Sequence, residues 1–559
     1  MKLGGAILFI LPVFSFAENS APGITHSGEL LQNNPMLHTP TAPRSKQKEQ
    51  IGGVDRQHVE VEEESGPVLY VKRINISDVP PSSRDDVEQL LAAYRGKEMT
   101  LSALRNVAVT VTALLQSHGE KLVFAYIPDQ NIKDGTVLFK IFRGHIESVS
   151  VNSNTSLVDD AVVGRFIDKM REIKGDVNAS ENYLSRLSDL PGVGALSSFL
   201  SPGKEPGGSA LHLDLAPSPR VSGVAVFDNM GSVSSGRNRL GLQVNVNSPL
   251  GYGDRFQALA YASPDFLQIN HDSEHGNTLI GRLSYDLPIN GQGTRLGASF
   301  SRVSYKLGGP VYSGLGDGYA EVASLYGSHP LIRGNEQNLN LAFTADFKRI
   351  EDTFWGMNNT RTAPVLTLQI TGDKQGSLLG LPNILQHDVS VSAGRLSNND
   401  EWNGLDTRGH FVKLNADMKL LQSVTSGVYA SVRVVAQQAS KNLDGAEKIS
   451  LGGPYAVRAY SNSIASADNA VLISPAINFS VPGVEGLSTE LFYDYAKGKI
   501  QKFSPQSTKV SLAGYGVGLN YNFNSVAFIN ASYAWRKGET ELISHQNKAM
   551  GWITIGFQF

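Results

Sequence analysis

From Val221 to Phe559 apolar and polar residues alternate with a period of two, and beyond the first seventeen residues nothing approaches the roughly 18 consecutive apolar residues of a membrane-spanning helix. Leu339, Leu341, Phe343, Ala345 and Phe347 alternate with Asn338, Asn340, Thr344 and Asp346. Val389, Val391 and Ala393 alternate with Asp388, Ser390 and Ser392, and Leu519, Tyr521 and Phe523 with Asn520 and Asn522. Each segment is a strand with one oily and one wet face. The segments run to about ten residues, long enough to cross a bilayer when tilted, whereas sandwich strands average about five or six. Sixteen can be counted, beginning near residues 220, 237, 255, 278, 294, 319, 338, 363, 386, 408, 425, 470, 487, 511, 526 and 548. In lipid only helices and closed barrels satisfy every backbone polar group. The expectation is a membrane β-barrel of sixteen antiparallel strands over 218–559, with both chain ends on the periplasmic side.

The N-terminal region carries a different grammar. Lys2, the apolar run Ala6 to Phe16 and the small-x-small Ser15-Phe16-Ala17 read as a signal peptide over 1–17. Its removal would leave 559 − 17 = 542 residues. Residues 18–65 form a polar tail and linker with one short helical candidate, Ser27 to Asn33, and an acidic run at Glu62 to Glu64. From 66 to 144 the order reads β-α-α-β-β. Ser83 and Asp86 suggest a capping box before Val87, Leu90, Leu91 and Tyr94, with Gly96 as stop, and a second helix starts at Thr100. The same order recurs over 145–217, with a helix from Leu157 to Met170 and another capped by Asn178 and Glu181. Two copies of one α+β module therefore precede the barrel.

Composition narrows the function. The net charge of 49 − 52 = −3, with no long basic tract, argues against a nucleic-acid partner. Zero cysteines exclude disulfides, thiolate metal sites and a cysteine nucleophile. His271-Asp-Ser-Glu-His275 has metal-friendly residue types but no helix to align them, and reads as a solvated loop. Gly514, Gly516 and Gly518 share one face of a strand, where they make room in the lumen, and are not a phosphate loop. No catalytic set, cofactor or metal is expected, and no enzymatic activity.

The connection over 438–469 is the longest irregular stretch of the barrel and contains Leu451-Gly452-Gly453-Pro-Tyr-Ala-Val457-Arg458-Ala459-Tyr460. This run resembles the L-G-G…V-R-G-Y signature of the sixth extracellular loop in the polypeptide-transporting barrel superfamily. The two preceding modules resemble its polypeptide-transport-associated (POTRA) domains. Two such modules before sixteen strands resemble the outer-membrane transporters of two-partner secretion, which export one large haemolysin, adhesin or contact-inhibition protein. The resemblance covers nearly all of the chain after residue 17. It implies an outer-membrane pore that passes an unfolded exoprotein from the periplasm to the surface, with the loop folded into the lumen and Arg458 paired with the Asp of an F-x-D-x-G motif. That motif is matched by Phe492-Tyr-Asp494-Tyr-Ala496, whose alternation turns Phe492, Asp494 and Ala496 to one face. Ala459 and Ala496 stand where the family prefers glycine. Asp228-Asn-Met-Gly231 resembles the family's D-N-x-G, and Pro475 interrupts the twelfth segment.

The resemblance also implies a plug helix near Glu29 to Asn33, and client contacts along Thr100 to Ser117 and Leu122 to Tyr126. Ile555, Phe557 and a terminal Phe559 share a face and resemble the signal read by the barrel-assembly machinery. The implied partners are the client, that machinery and outer-membrane lipids, with the transporter a monomer. A barrel-assembly factor of the same superfamily, and a passive porin or receptor, are the alternative readings; two modules argue against the first, and porins need neither the modules nor the Arg458 and Asp494 pair.

Overall fold

A computed structural model describes residues 27–32 and residues 68–559, apart from 119–121, 133, 174–176, 206, 233, 264–275, 309–312, 400–405, 504–506, 525 and 539–547. The signal segment 1–17, the acidic run Glu62 to Glu64 and the pair His271 and His275 lie outside the described residues.

The first described element is a short helix, α1 (Ser27–Gln32). The first module follows as β1 (Leu69–Val71), β2 (Arg73–Ser77), α2 (Arg84–Ala92), β3 (Lys97–Met99), α3 (Leu101–Ser117), β4 (Val123–Tyr126) and β5 (Thr136–Arg143). Strand β5 is central, parallel to β2 and antiparallel to β4, and β1 pairs separately with β3. Val87, Leu91, Leu104, Val111 and Leu115 bury the helices on Val137 and Phe139 of the sheet. Two sequence expectations change here. The Ser83 side chain does not cap α2, which enters through the 3-10 turn Pro81–Ser83; its hydroxyl instead meets Nδ1 of His118 at 3.0 Å. Strand β3 is an extra element, too short to leave a periodic trace. Thr100, by contrast, caps α3 through Oγ1 and the Ala103 amide at 3.2 Å.

The second module comprises β6 (His145–Asn154), α4 (Asp160–Glu172), α5 (Val177–Ser188), β7 (Val193–Pro202) and β8 (Gly208–Pro217), with sheet order β6-β8-β7. Its core sets Phe166, Ile167 and Met170 of α4 and Leu184 and Leu187 of α5 against Leu211, Leu213 and Leu215. Asn178 lies inside α5 rather than at its cap, since the helix already includes Val177.

The barrel begins with β9 (Val221–Asp228), β10 (Arg239–Asn247), β11 (Arg255–Ala262), β12 (Asn277–Pro288), β13 (Arg295–Lys306) and β14 (Gly316–Arg333). It continues with β15 (Gln337–Phe354), β16 (Met357–Leu378), β17 (Leu381–Leu396), β18 (Gly409–Thr425) and β19 (Val428–Ala439). After a long loop holding β20 (Ile449–Ser450) and β21 (Ser466–Ala467), the wall resumes with β22 (Asn469–Ser480), β23 (Leu487–Ile500), β24 (Thr508–Phe523), β25 (Ala527–Arg536) and β26 (Ala549–Gln558). The sixteen wall strands close antiparallel, β26 pairing with β9. The expected strand number is met. The strands from β14 to β18 are much longer than the ten residues expected, up to 22 in β16, because hydrogen bonding continues past the apolar belt where the alternation fades. Leu366, Leu368 and Ile370 of β16, like Leu414 and Met418 of β18, face outward and stay exposed, as a lipid-facing band must. Pro475 sits within β22. The register passes from Ile473↔Tyr495 to Ala476↔Phe492, so the ladder is open beside Asp494, where proline has no N–H to give.

Candidate functional site

The loop between Ala439 and Asn469 turns inward. Its root is a two-residue ladder, Ile449↔Ala467 and Ser450↔Ser466, extended by Leu451 N–H donating to the Ala465 carbonyl at 2.9 Å. Gly453 has φ +103°, outside the range of ordinary side chains, and its N–H donates to the Tyr460 carbonyl at 2.9 Å. Gly452 bridges to Val457, and a Cβ at Gly452 would stand 2.5 Å from a methyl of Ile464. The two glycines thus fold 451–460 into a tight hairpin. Leu451, Val457, Ala459 and Tyr460 are fully buried against Phe492, Ala496 and Leu512 of the wall.

This hairpin delivers Arg458 to β23. Nε and Nη2 donate to the two oxygens of Asp494, both at 2.9 Å, and the Arg458 backbone N–H adds a third bond to Asp494 at 3.1 Å. Nη1 reaches Glu490 at 3.0 Å, and the guanidinium lies over the Phe492 ring, 3.2 Å from its centroid. Alternation along β23 explains the set, since residues 490, 492 and 494 point into the lumen while Leu491 is exposed outside. Burial would lower the Arg458 pKa, yet the two carboxylates hold it above its usual value, so the guanidinium stays charged. Further bonds fix the loop's backbone: Trp552 Nε1 donates to the Arg458 carbonyl at 2.7 Å and Arg536 Nε to the Ala459 carbonyl at 3.1 Å. Arg536 also stacks over Tyr460, 4.8 Å from its ring. The sequence alone does not single out Glu490, Arg536 or Trp552 as site residues. The inward parity that marks Asp494 also marks Glu490; the other two have no local signal.

Ala459, which stands where a glycine is expected, is accommodated by the wall. A Cβ at Gly514 would stand 2.5 Å from that of Ala459, and one at Gly516 would stand 2.5 Å from the Phe492 ring. The glycine stripe of β24 is therefore the floor on which the loop rests. Asp228 forms a buried pair with Arg239 at 2.8 Å, and its carboxylate accepts from the Met230 N–H at 2.9 Å. Asn229 stitches β9 to β26 beyond their ladder, accepting from Ile553 N–H at 2.9 Å and donating to the Gly551 carbonyl at 3.0 Å. Met230 in turn receives the Asn462 side-chain amide at 2.6 Å, tying this turn to the inward loop. Between them lies a cavity of about 360 Å³ bordered by Arg239, Tyr455, Arg458, Glu490 and Trp552.

A second charged cluster, unforeseen from sequence, holds the start of the loop. Glu447 is paired with Lys348 at 2.6 Å and Lys413 at 2.8 Å, and Arg361 lies between Asp352 at 2.7 Å and Asp444 at 2.8 Å. Burial alone would raise the Glu447 pKa; the two ammonium groups bring it down to about 2. Helix α1 sits on this cluster inside the barrel. The Ser27 N–H donates to Asp352 at 3.0 Å, and Ser466 donates to Glu29 at 3.2 Å. A Cβ at Gly28 would lie 2.7 Å from the Ala446 nitrogen, and Leu30 and Leu31 pack on Val303, Tyr305, Val322 and Ile350 of the wall. The helix and the loop are thus in direct contact.

The remaining expected sites are separate. Ile555 and Phe557 are exposed on the outer face of β26; Phe559, just beyond it, is also exposed and bonds through both backbone groups to Gly223. Strand β4 is an edge strand, with Phe124 and Tyr126 exposed. Its free edge is partly covered by α3, since the Ala125 N–H donates to Thr112 Oγ1 at 2.9 Å. Among the described residues no group of three or more His, Asp or Glu is placed to hold a metal ion.

The profile described as haemolysin secretion/activation protein ShlB/FhaC/HecB matches residues 207–521, and that of the ShlB-type POTRA domain matches 69–144. The heme/hemopexin transporter protein HuxB of Haemophilus influenzae is 26% identical, covering 84% of this chain and 83% of its own. The outer membrane transporter CdiB of Escherichia coli is 20% identical over 74% of this chain and 70% of its own. The solved structure of CdiB from Escherichia coli aligns with TM-score 0.65 and 17% identity, covering 92% of this chain and 94% of that one. BamA from Haemophilus ducreyi lacking POTRA domains 1-3 aligns with TM-score 0.51 and 12% identity over 88% of this chain and all of that one.

Proposed function

The chain belongs to the haemolysin secretion/activation protein family ShlB/FhaC/HecB, and from that premise we propose how its parts divide the work of moving an exoprotein across the outer membrane. It is an outer-membrane transporter whose POTRA modules stand in the periplasm. At rest the lumen is occupied by two of the chain's own segments, α1 as a plug and the inward loop held by Arg458 on Asp494 and Glu490. The observation that carries this reading is their contact: α1 rests on the loop's first turn through Gly28 and shares Asp352 with the Arg361 and Asp444 pair.

Transport then requires no bond-making chemistry. An extended client segment engages the modules' strand edges through main-chain hydrogen bonds, which tolerate many sequences. On β4 it must displace Thr112 from the Ala125 N–H, so the edge is protected until a client arrives. Client binding shifts α1 out of the lumen, and folding of the product outside biases the direction. The outward residues of β26 ending at Phe559 serve recognition by the barrel-assembly machinery, and a single copy of the chain suffices for the pore. One relative is named for heme/hemopexin, so a haem-acquisition exoprotein is the first cargo to test. The test pairs single-channel conductance of the purified chain with export in its own cells. Removing residues 27–32 should raise conductance, and wild-type conductance in that variant would dismiss the plug.

A further inference from the structure

The outer face of the last wall strands changes character at its extracellular end. On β24 every outward position from Tyr515 to Phe523 is aromatic or aliphatic, a run close to the roughly 9–11 residues with which a tilted strand crosses the oily layer. Its upper edge is an aromatic girdle. Tyr515 stacks on Trp535 of β25 with ring centroids 5.9 Å apart, and Trp535 meets Tyr533 edge-on at 4.9 Å. Above the girdle the same outward parity carries Lys497 and Lys499 of β23, Lys509 of β24 and Lys537 just past β25, all exposed. The ladder sets Lys499 directly opposite Lys509, and Lys497, opposite Ser511, is the diagonal neighbour of Lys509. Lys537 joins them through its N–H, which donates to the Ala513 carbonyl at 2.9 Å, and its ammonium lies over the Tyr493 ring, 5.3 Å from the centroid.

Like charges facing each other across a ladder destabilise a sheet, and this face gives them no relief. No outward position of β23, β24 or β25 is Asp or Glu, and among the described residues none of the four ammonium groups is within ion-pair distance of a carboxylate. The other flank of the barrel is built differently. There Arg302 of β13 pairs with Glu321 at 2.7 Å, and Lys306 stands opposite Asp317 in the ladder. Four unmatched cations above an aromatic girdle are complementary to a lipid with phosphates on its headgroup and acyl chains lying along Tyr515, Val517 and Trp535. The outer leaflet of an outer membrane is made of such a lipid, a glycolipid with phosphorylated sugars. We propose that Lys497, Lys499, Lys509 and Lys537 form a binding site for the phosphorylated headgroup of an outer-leaflet glycolipid. The same strands carry the lock on their inner face, Glu490 and Asp494 on β23 and the glycine floor on β24. A bound headgroup therefore ties together, from outside, the part of the wall on which the loop is held. The site depends on the outer-membrane location of the chain and not on its cargo.

The test titrates the purified full chain, in uncharged detergent and freed of co-purified lipid, with fluorescently labelled lipopolysaccharide. A lysine at the membrane surface contributes about fivefold to the affinity for an anionic lipid, so Lys497→Gln, Lys499→Gln, Lys509→Gln and Lys537→Gln together should weaken binding by about a hundredfold or more. The same four positions changed to Arg should bind like wild type, and Lys374→Gln, at an exposed lysine near the periplasmic end of β16, should change nothing. Enzymatic removal of the lipid's phosphates should bring wild type down to the level of the four-Gln chain, a comparison that needs no variant to fold. Equal binding by wild type and the four-Gln chain, or binding indifferent to the phosphates, would overturn the site. Displacement of the lipid by inorganic phosphate at matched phosphate concentration would overturn it as well, leaving an anion site without a lipid component. In cells, equal lipid retention by both chains with export of the client lost only in the four-Gln chain would assign the lysines to the client and overturn the proposal.

Discussion

Arg458 and Asp494, 36 residues apart in sequence, meet through two guanidinium–carboxylate bonds of 2.9 Å plus a backbone bond, in a position where both side chains are largely removed from solvent. A pair of this kind is strongly directional, and breaking it from one side strands the other charge at a cost of about 3–5 kcal/mol. The loop's inward pose is therefore a deep minimum, to be left only when something replaces these contacts.

Replacing Arg458 by Glu should release the loop, since three carboxylates would then crowd one face of β23 and the wall. Export should fall to a small fraction of wild type while the folded barrel remains at normal levels in the outer membrane. Adding Asp494→Arg supplies a cation that Glu490 and the new glutamate can share, and should restore part of the export. Unchanged export from Arg458→Glu would remove the lock from the mechanism.

Much of this arrangement was legible in the sequence because it follows from short-range rules. Alternation alone turns Phe492, Asp494 and Ala496 inward, and the Gly452-Gly453 pair announces a tight hairpin before Arg458. The cluster of Lys348, Arg361, Lys413, Asp444 and Glu447 was not legible, because its members come from β15, β16, β18 and the loop and meet only when the barrel closes. The Ser83 and Asp86 capping box failed for a local reason, a 3-10 turn led by Pro81. The covering of β4 by Thr112 depends on how α3 packs, which its periodicity leaves open.

Acid should loosen the loop's root. The Glu447 carboxyl titrates near 2 in the folded chain against an ordinary 4.5, so its pairing stabilises the closed state above that ordinary value and is lost as pH falls toward 2. Channel conductance in planar bilayers should be flat from neutral pH to about pH 5 and rise below about pH 4.5. Glu447→Gln should raise conductance already at neutral pH, because two buried ammonium groups lose their partner. A conductance that is identical in this variant and the wild type would detach the cluster from gating.

The floor under the loop makes a steric prediction. Gly514→Ala adds a methyl only 2.5 Å from Ala459, and the loop must lift or the wall must bow. Overpacking of this kind costs about 1–3 kcal/mol. Protease sensitivity of the loop should increase in Gly514→Ala and return toward wild type when Ala459→Gly is added. Equal sensitivity in all three chains would contradict the contact.

Thr112→Val keeps the shape of the α3 surface but removes the acceptor for the Ala125 N–H. The exposed edge of β4 should then bind extended peptides more readily in a cross-linking assay on the full chain, at a stability cost of about 1–3 kcal/mol for the unpaired amide. Unaltered peptide capture would place client binding elsewhere.

A dedicated exporter has a client that reaches the medium only when the transporter is present. The most direct measurement compares proteins in the medium and periplasm of cells with and without the transporter gene, by quantitative mass spectrometry, alongside the levels of other outer-membrane barrels. One large protein should disappear from the medium on deletion and return with the wild-type gene but not with Arg458→Glu, while other barrels keep their levels. An unchanged medium together with a general fall in outer-membrane barrels would rule out a dedicated exporter and point to assembly instead.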